Sequence, residues 1–199
     1  MELERAISDL EEVRDRLAAV QRFEGYSAPA AVASGLAAIV AGLIQRQLEP
    51  FPNSSAGFQR YVVIWMVCLA VGLALNYGAV AIWAWKNRRP GAVSRFRSAA
   101  RSIAPSVVLG GVLTAALVGH AMYALLPGTW FALYAIGLFA SRGAIPESAM
   151  TVTLGFTVLA AIFLISPLQS VALAWWVMPL AFGAGQISIG WLVWREGAV

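Results

Sequence analysis

Six apolar stretches, each long enough to cross or nearly cross a lipid bilayer, make up most of this 199-residue chain. None of the six carries an Asp, Glu, Lys or Arg in its middle. The hydrocarbon core of a bilayer is about 30 Å thick and takes roughly 20 apolar residues in a helix. Together with 60% hydrophobic residues and a mean hydropathy of +0.73, this pattern indicates an integral membrane protein.

The apolar stretches predict an all-α fold, a six-helix membrane bundle. The predicted spans are residues 26–44, 61–85, 103–126, 129–141, 149–165 and 171–194. The fourth span is the shortest, with a rise of only about 20 Å. It must therefore include neighbouring residues, thin the bilayer locally, or fail to cross the bilayer fully. The third and fourth spans, and the fifth and sixth, are joined by only a few residues. Short connections make neighbouring helices antiparallel and predict three helical hairpins.

Basic residues predict the orientation of the bundle. Alternate connections divide the 14 basic residues 12 to 2 between the two sides of the membrane. The majority side holds Arg5, Arg14, Arg16, Arg22, Lys86, Arg88, Arg89, Arg95, Arg97, Arg101, Arg142 and Arg195, and the other side holds Arg46 and Arg60. Because cytoplasmic loops are enriched in Lys and Arg, this division predicts an inner-membrane protein with both termini in the cytoplasm.

The first 25 residues are predicted to form a separate amphipathic cytoplasmic helix ahead of the membrane bundle at 26–199. Apolar residues recur on one helical face of this segment in a pattern close to a heptad repeat. Its charge is acidic, with four Arg against seven acids, whereas residues 86–101 carry six basic residues and no acid. The two segments are either docked on each other or separately solvated, and the sequence leaves both possibilities open.

Small residues and prolines predict where the helices approach one another. Residues of small volume four apart in the first span, or clustered in the third and sixth, predict close helix contacts, either within the bundle or with another subunit. They are Ser34, Ala38 and Gly42; Ser106 and Gly110; and Gly183, Gly185 and Gly190. Prolines 29, 105 and 146 are expected near the first turns of the odd-numbered spans, and Pro179 is expected to kink the sixth.

The most distinctive polar residue is His120, the single histidine, near one end of the third span. Tyr123, Trp130 and Trp175 are expected at the same depth, so these four residues are predicted to form a ligand pocket. His120 is either a hydrogen-bonded structural residue, a contact to a ligand or cofactor of unknown identity, or a proton sensor. One imidazole does not make a metal site, and the single cysteine, Cys68, lies in another span, so no metal is predicted.

Two amides inside the spans, Asn76 and Gln186, are interpreted as an interhelical hydrogen-bonded pair. A polar step in a permeation path is the alternative. No nucleophile with a base partner, no paired carboxylates in a span and no nucleotide-binding motif is found, so no enzymatic activity is predicted. The basic segment 86–101 is explained by membrane topology, and no nucleic-acid partner is expected.

Three stretches carry a resemblance to known sequences: residues 22–29 (RFEGYSAP), 126–130 (LPGTW) and 182–190 (FGAGQISIG). They resemble a family of uncharacterised small bacterial multi-span inner-membrane proteins of unknown function. The resemblance implies a bacterial membrane fold and no catalytic residue.

The expected function is that of a non-enzymatic accessory or regulatory membrane protein. It would act through helix contacts in a homo-oligomer or with a partner membrane protein, surrounded by membrane lipid. The alternative function is the binding or transport of a small hydrophobic ligand or cofactor held near His120 and the aromatic residues at that end of the bundle.

Overall fold

The computed structural model of the chain describes residues 27–87, 92–142, 145–166 and 169–197. Within these ranges the chain is helical and contains no strand, which confirms the all-α class. Six helices have 14 residues or more: α1 Ala28–Leu48, α2 Ser55–Asn87, α3 Ala92–Gly119, α4 Leu126–Ala140, α5 Met150–Ile165 and α6 Ala184–Gly197. The amphipathic helix predicted at 1–25 lies outside the described residues.

Four stretches are long and apolar enough to cross a membrane, judged by length and composition. They are Ala28–Leu48, Ser55–Ala79, Tyr123–Ala140 and Glu147–Ile165. A fifth, Ile103–Gly119 within α3, is a shorter apolar helix. The described residues therefore form a helical protein with four candidate membrane spans.

The predicted spans leave the basic segment 86–101 as a connection between the second and third spans, but most of this segment is helical. Helix α2 continues to Asn87, and α3 begins at Ala92 and runs through Pro105. Residues 92–101 are rich in Ala and Arg, which are good helix formers, and this local preference outweighs the loop interpretation based on charge alone. Pro105 consequently lies inside α3, in contrast to Pro29, which occupies the first turn of α1 as predicted.

Helix α4 begins at Leu126, three residues before the start predicted for the fourth span. Pro127 falls in the predicted connection between the third and fourth spans, but proline is well tolerated in a helix's first turn, where its missing N–H costs nothing. A Cβ on Gly128 would lie 2.9 Å from Leu164 Cγ, so Gly128 allows the start of α4 to lie directly against the end of α5. A preceding 3₁₀ turn, Tyr123–Leu125, completes a stretch of membrane-spanning length.

The small residues of α1 lie on a face of close helix contact, as predicted, and Gly35 and Gly42 pack against α6 and the turn before it. Ser34, Ala38 and Gly42 are all buried. A Cβ added to Gly35 would lie 2.8 Å from the Gly183 carbonyl oxygen, and one added to Gly190 would lie 2.9 Å from that of Ala28. The two backbones are therefore close enough that the absence of side chains is what permits the contact.

The sixth predicted span is interrupted, whereas a continuous helix was expected over 171–194. A one-turn helix, Gln169–Ala172, is followed by a turn, and the helix resumes near Val177. A π-helical turn over Pro179–Gly183 then leads into α6. Pro179 has no N–H to donate to the preceding turn, and the π-helical turn begins at this residue.

Contacts between connections define the two ends of the bundle. At the Phe51 end, which comprises residues 49–54, 120–125 and 173–176, the Trp175 N–H donates to the Pro50 carbonyl over 3.1 Å. At the opposite end the Ser148 hydroxyl donates to the Glu196 carboxylate. The Phe51 end carries Arg46 and Arg60, the two basic residues that the charge pattern assigned to the minority side.

Helix α3 ends in a left-handed residue that is not glycine. The Met122 N–H donates to the Leu117 carbonyl and the Ala121 N–H to the Val118 carbonyl, over 2.8 and 3.1 Å, which is a Schellman cap. Ala121 occupies its left-handed position with φ of 56°. We expect Ala121→Gly to raise the free energy of unfolding by about 1 kcal/mol, because glycine adopts this conformation without the Cβ penalty. A denaturing-detergent titration measures the change, and a decrease would contradict the assignment of strain.

A candidate ligand site at the Phe51 end

Tyr123 and Phe58 form a stacked pair at the Phe51 end, with ring centroids 4.3 Å apart and planes 9° apart. Tyr123 begins the 3₁₀ turn that follows the cap of α3. Phe58 lies in the first turn of α2, where the Ser54 hydroxyl accepts a hydrogen bond from the Gly57 N–H over 3.1 Å. Phe58 is thus held in a capped first turn of α2, and Tyr123 directly follows the cap of α3.

A cavity of about 320 Å³ adjoins this pair. Three connections and the first turn of α2 supply its walls, and the lining residues are Phe51, Pro52, Phe58, Ala121, Tyr123, Ala124, Leu173 and Ala174. No lining residue carries a charged side chain. The volume lies at the lower limit of the range common for small-molecule sites, and the walls are mainly apolar and aromatic.

The four residues predicted to share a pocket are placed in four different surroundings. Tyr123 lines the cavity, whereas His120 is exposed at the end of α3. Trp130 is buried, and its indole N–H donates to the Thr114 hydroxyl over 2.9 Å. Trp175 lies under the Arg46 guanidinium, whose carbon is 4.9 Å from the centre of the indole ring. The immediate neighbours of His120 and Trp175 in sequence, Ala121 and Ala174, are the residues that reach the cavity.

Gln45 is the most connected polar residue near the site, and the sequence interpretation did not single it out. Its side chain is fully buried in α1. Its amide nitrogen donates to the Leu173 carbonyl over 2.8 Å, and its amide oxygen accepts from the Trp65 indole over 2.9 Å. Gln45 therefore supplies a hydrogen bond to a carbonyl of the buried residue Leu173 at the interruption before α6.

A signal for Gln45 does exist in the sequence. Buried residues of α1 recur at Ala31, Ser34, Ala38 and Ala41 with alternating spacings of three and four, and the next position in that series is Gln45. A large amide continuing a stripe of small buried residues has to find partners in the neighbouring helices.

The predicted hydrogen bond between the Asn76 and Gln186 amides is wrong, because Asn76 has other partners. The Asn76 amide nitrogen donates to the Ser34 hydroxyl over 2.7 Å and to the Gly72 carbonyl over 2.9 Å. The amide oxygen of Gln186 is buried and has no hydrogen-bond partner among the described residues. Asn76 therefore joins α2 to α1, a contact that the sequence could not distinguish from one between α2 and α6.

Tyr61 and Trp65 of α2 form a buried aromatic cluster with Trp130 of α4. Tyr61 is fully buried, and its ring is parallel to that of Trp130 with centroids 6.0 Å apart. Trp65 lies beside Tyr61 with centroids 6.4 Å apart. The cluster is tied to α1 by Gln45 and to α3 by Thr114.

We expect Thr114→Val to lower the free energy of unfolding by about 1 kcal/mol. Valine has the same shape but leaves the Trp130 indole N–H without its buried acceptor. Thr157→Val is the matched control, because the Thr157 hydroxyl donates only to the Thr153 carbonyl of its own helix, over 2.9 Å. Equal losses in the two variants, measured by denaturing-detergent titration, would show that the bond to Trp130 adds nothing.

Among the described residues, no group of three or more His, Cys, Asp or Glu side chains is placed to hold a metal ion. Comparison of the chain with protein-family models, curated proteins and solved structures found no match. The bacterial family that residues 22–29, 126–130 and 182–190 resemble is therefore not identified by these comparisons, and the site has to be interpreted from its own geometry.

Proposed function

We propose that this chain is a non-enzymatic accessory or regulatory protein of a bacterial inner membrane, which acts through helix contacts with a second copy of itself. In this proposal the chain crosses the membrane six times and has both termini in the cytoplasm. The 12 to 2 division of basic residues supports the orientation. The crossings beyond the four candidate spans are α3 and the segment that leads through the π-helical turn into α6.

The observation that carries the proposal is an exposed, small-residue face on α3. We call the set Val108, Gly111, Val112, Ala115 and Gly119 the α3 outer face. All five residues are exposed, with Val108 at 67% and Val112 at 60%. A Cβ added to Gly111 or Gly119 would have no neighbouring atom within 4 Å. Gly111, Ala115 and Gly119 are four residues apart, which is the spacing that lets two helix backbones approach closely.

The energetics of glycine favour a helix partner for this face. Each glycine in an exposed helix destabilises that helix by about 1 kcal/mol relative to alanine, and contact with lipid does not offset this loss of stability. At Gly35 and Gly190 the loss of stability is offset, because these two glycines lie against the backbone of a facing helix. A second copy of α3 would offset it in the same way at Gly111 and Gly119.

The neighbouring helix extends this apolar surface. In the most apolar 18-residue window of α2 only 6% of the residues are buried, against 44% for α1. The small-residue faces inferred from the sequence at Ser34, Ala38 and Gly42 are occupied by contacts within the chain and are not available to a partner. Of the small-residue faces on α1 and α3, the α3 outer face is therefore the one that is available to a second copy.

Disulfide crosslinking in native membranes tests the proposal. In a Cys68→Ala background, we expect Val112→Cys and Ala115→Cys to give crosslinked dimers after mild oxidation. A disulfide needs Cα atoms within about 7 Å, which two α3 helices in close contact would satisfy. The matched controls are Ser106→Cys and Leu117→Cys on the same helix. Ser106 lies within 3.7 Å of the Cβ position at Gly137, and Leu117 packs against the core, so both face their own bundle.

The pattern of crosslinks decides the outcome. Dimers at Val112 and Ala115 without dimers at Ser106 and Leu117 would support a symmetric α3 contact. Equal crosslinking at all four positions would indicate random collision, and no crosslinking at any of them would remove the α3 outer face as a contact with a second copy.

A further inference from the structure

The cavity at the Phe51 end is independent of the α3 outer face, and the proposed function leaves it unused. We infer that it binds an uncharged, ring-containing small molecule of about ten non-hydrogen atoms. The size follows from the volume of about 320 Å³, at roughly 30 Å³ for each water-sized group. This inference goes beyond the proposed function and does not depend on it.

The ligand is inferred to be uncharged because no charged side chain lines the cavity. The eight lining residues include no Asp, Glu, Lys, Arg or His. A charged group bound against these walls would lose part of its hydration without gaining an ion pair, which disfavours its binding. His120 and Arg46 are next to the site in the fold but do not line it.

Backbone groups around the cavity are largely paired already. The Leu173 carbonyl accepts from Gln45, and the Ala174 N–H donates to the Val171 carbonyl over 3.0 Å. The Ala121 N–H is used in the cap of α3, and the Ala174 carbonyl accepts from the Val177 N–H. A polar ligand would therefore find few free hydrogen-bonding groups, whereas an apolar ligand would leave few backbone groups without a partner.

The preference for a ring follows from the aromatic lining. Phe51, Phe58 and Tyr123 are three of the eight lining residues, and Phe51 is 53% exposed beside the opening. Aromatic pairs in offset or edge-to-face geometry are stabilised beyond the contribution of the area that they bury. The stacked pair of Phe58 and Tyr123 and the Gln45 hydrogen bond to Leu173 fix two of the walls before any ligand arrives.

The test is ligand-dependent thermal stabilisation of the purified full-length protein in a mild detergent. Indole is the probe, octan-1-ol is an aliphatic compound with as many non-hydrogen atoms, and indole-3-acetate is a charged analogue. A ligand that binds only the folded state raises the unfolding midpoint saturably. We expect saturable stabilisation by indole, with at least tenfold weaker binding of indole-3-acetate and of octan-1-ol.

Two variants connect the effect to the cavity. Ala124→Trp places a large side chain at a lining position and should weaken indole binding at least tenfold, whereas Ala161→Trp on the exposed surface of α5 should leave it unchanged. If Ala124→Trp does not fold, Leu173→Ala enlarges the cavity and should shift the preference from indole toward anthracene. Indole binding that none of these variants changes, or stabilisation by octan-1-ol equal to that by indole, would overturn the inference. Neither result would bear on crosslinking through α3.

Discussion

Gln45→Leu is expected to lower the free energy of unfolding by roughly 3 kcal/mol. Leucine fills a similar volume but strands two groups, the Trp65 indole N–H and the Leu173 carbonyl, each of which costs about 1–3 kcal/mol when buried without a partner. Single hydrogen bonds between membrane helices average only about 0.6 kcal/mol, because the separated helices find other partners. The Leu173 carbonyl lies where the helix is interrupted, so it has no partner within its own helix to return to.

Gln47→Leu is the matched control for this prediction. Gln47 lies on the same turn of α1 but is exposed, so its replacement should change stability by less than about 0.5 kcal/mol. Both variants are measured by titration with a denaturing detergent in mixed micelles. If Gln45→Leu and Gln47→Leu were equally stable, Gln45 would not hold the wall at Leu173. The Gln45 variant should also lose the stabilisation by indole, since Leu173 lines the cavity.

Gly42→Ala is expected to lower the free energy of unfolding by about 2 kcal/mol. A Cβ at this position would overlap the ring of Pro179, and a proline ring at the start of a π-helical turn cannot rotate away. Overpacking of this kind costs about 1–3 kcal/mol, occasionally more, and the gain in helix propensity from glycine to alanine returns up to about 1 kcal/mol. The balance is a net loss, measured in the same detergent titration.

Gly155→Ala separates the steric effect from the change in helix propensity. Gly155 lies in α5, and a Cβ there would have no neighbour within 4 Å, so only the propensity gain remains. We therefore expect Gly155→Ala to be neutral or stabilising. Stabilisation by both substitutions would contradict the close packing of α1 on the turn that precedes α6.

The sequence predicted those parts of the fold that depend on composition and local spacing. The apolar stretches located the helices, and the series Ser34, Ala38 and Gly42 identified the packed face of α1. Prediction from the sequence failed where two local rules gave different answers. Residues 92–101 are both basic and strongly helix-forming, and the charge suggested a loop where the backbone is helical. Pro127 fits either a turn or the first turn of a helix, and only the contact between Gly128 and Leu164 decides between them.

The candidate site was harder to predict because its residues come from three connections and the first turn of α2. The sequence placed His120, Tyr123, Trp130 and Trp175 at one depth, and depth along a helix does not determine which way a side chain faces. Of these four residues, Tyr123 lines the cavity, while Ala121 and Ala174 line it as neighbours of the predicted residues. Small residues such as these carry no chemical signal, and their role depends on packing that no local pattern specifies.

Native mass spectrometry of gently solubilised protein tests the central claim, that the chain acts through self-association on the α3 outer face. We predict a dimer of the 21.2 kDa chain, and a monomer under the same conditions for Ala115→Leu, whose larger side chain would separate the two backbones. Ala161→Leu, an exposed substitution on α5, should remain dimeric. A monomer for the unmodified chain, or a dimer that Ala115→Leu leaves intact, would contradict the account.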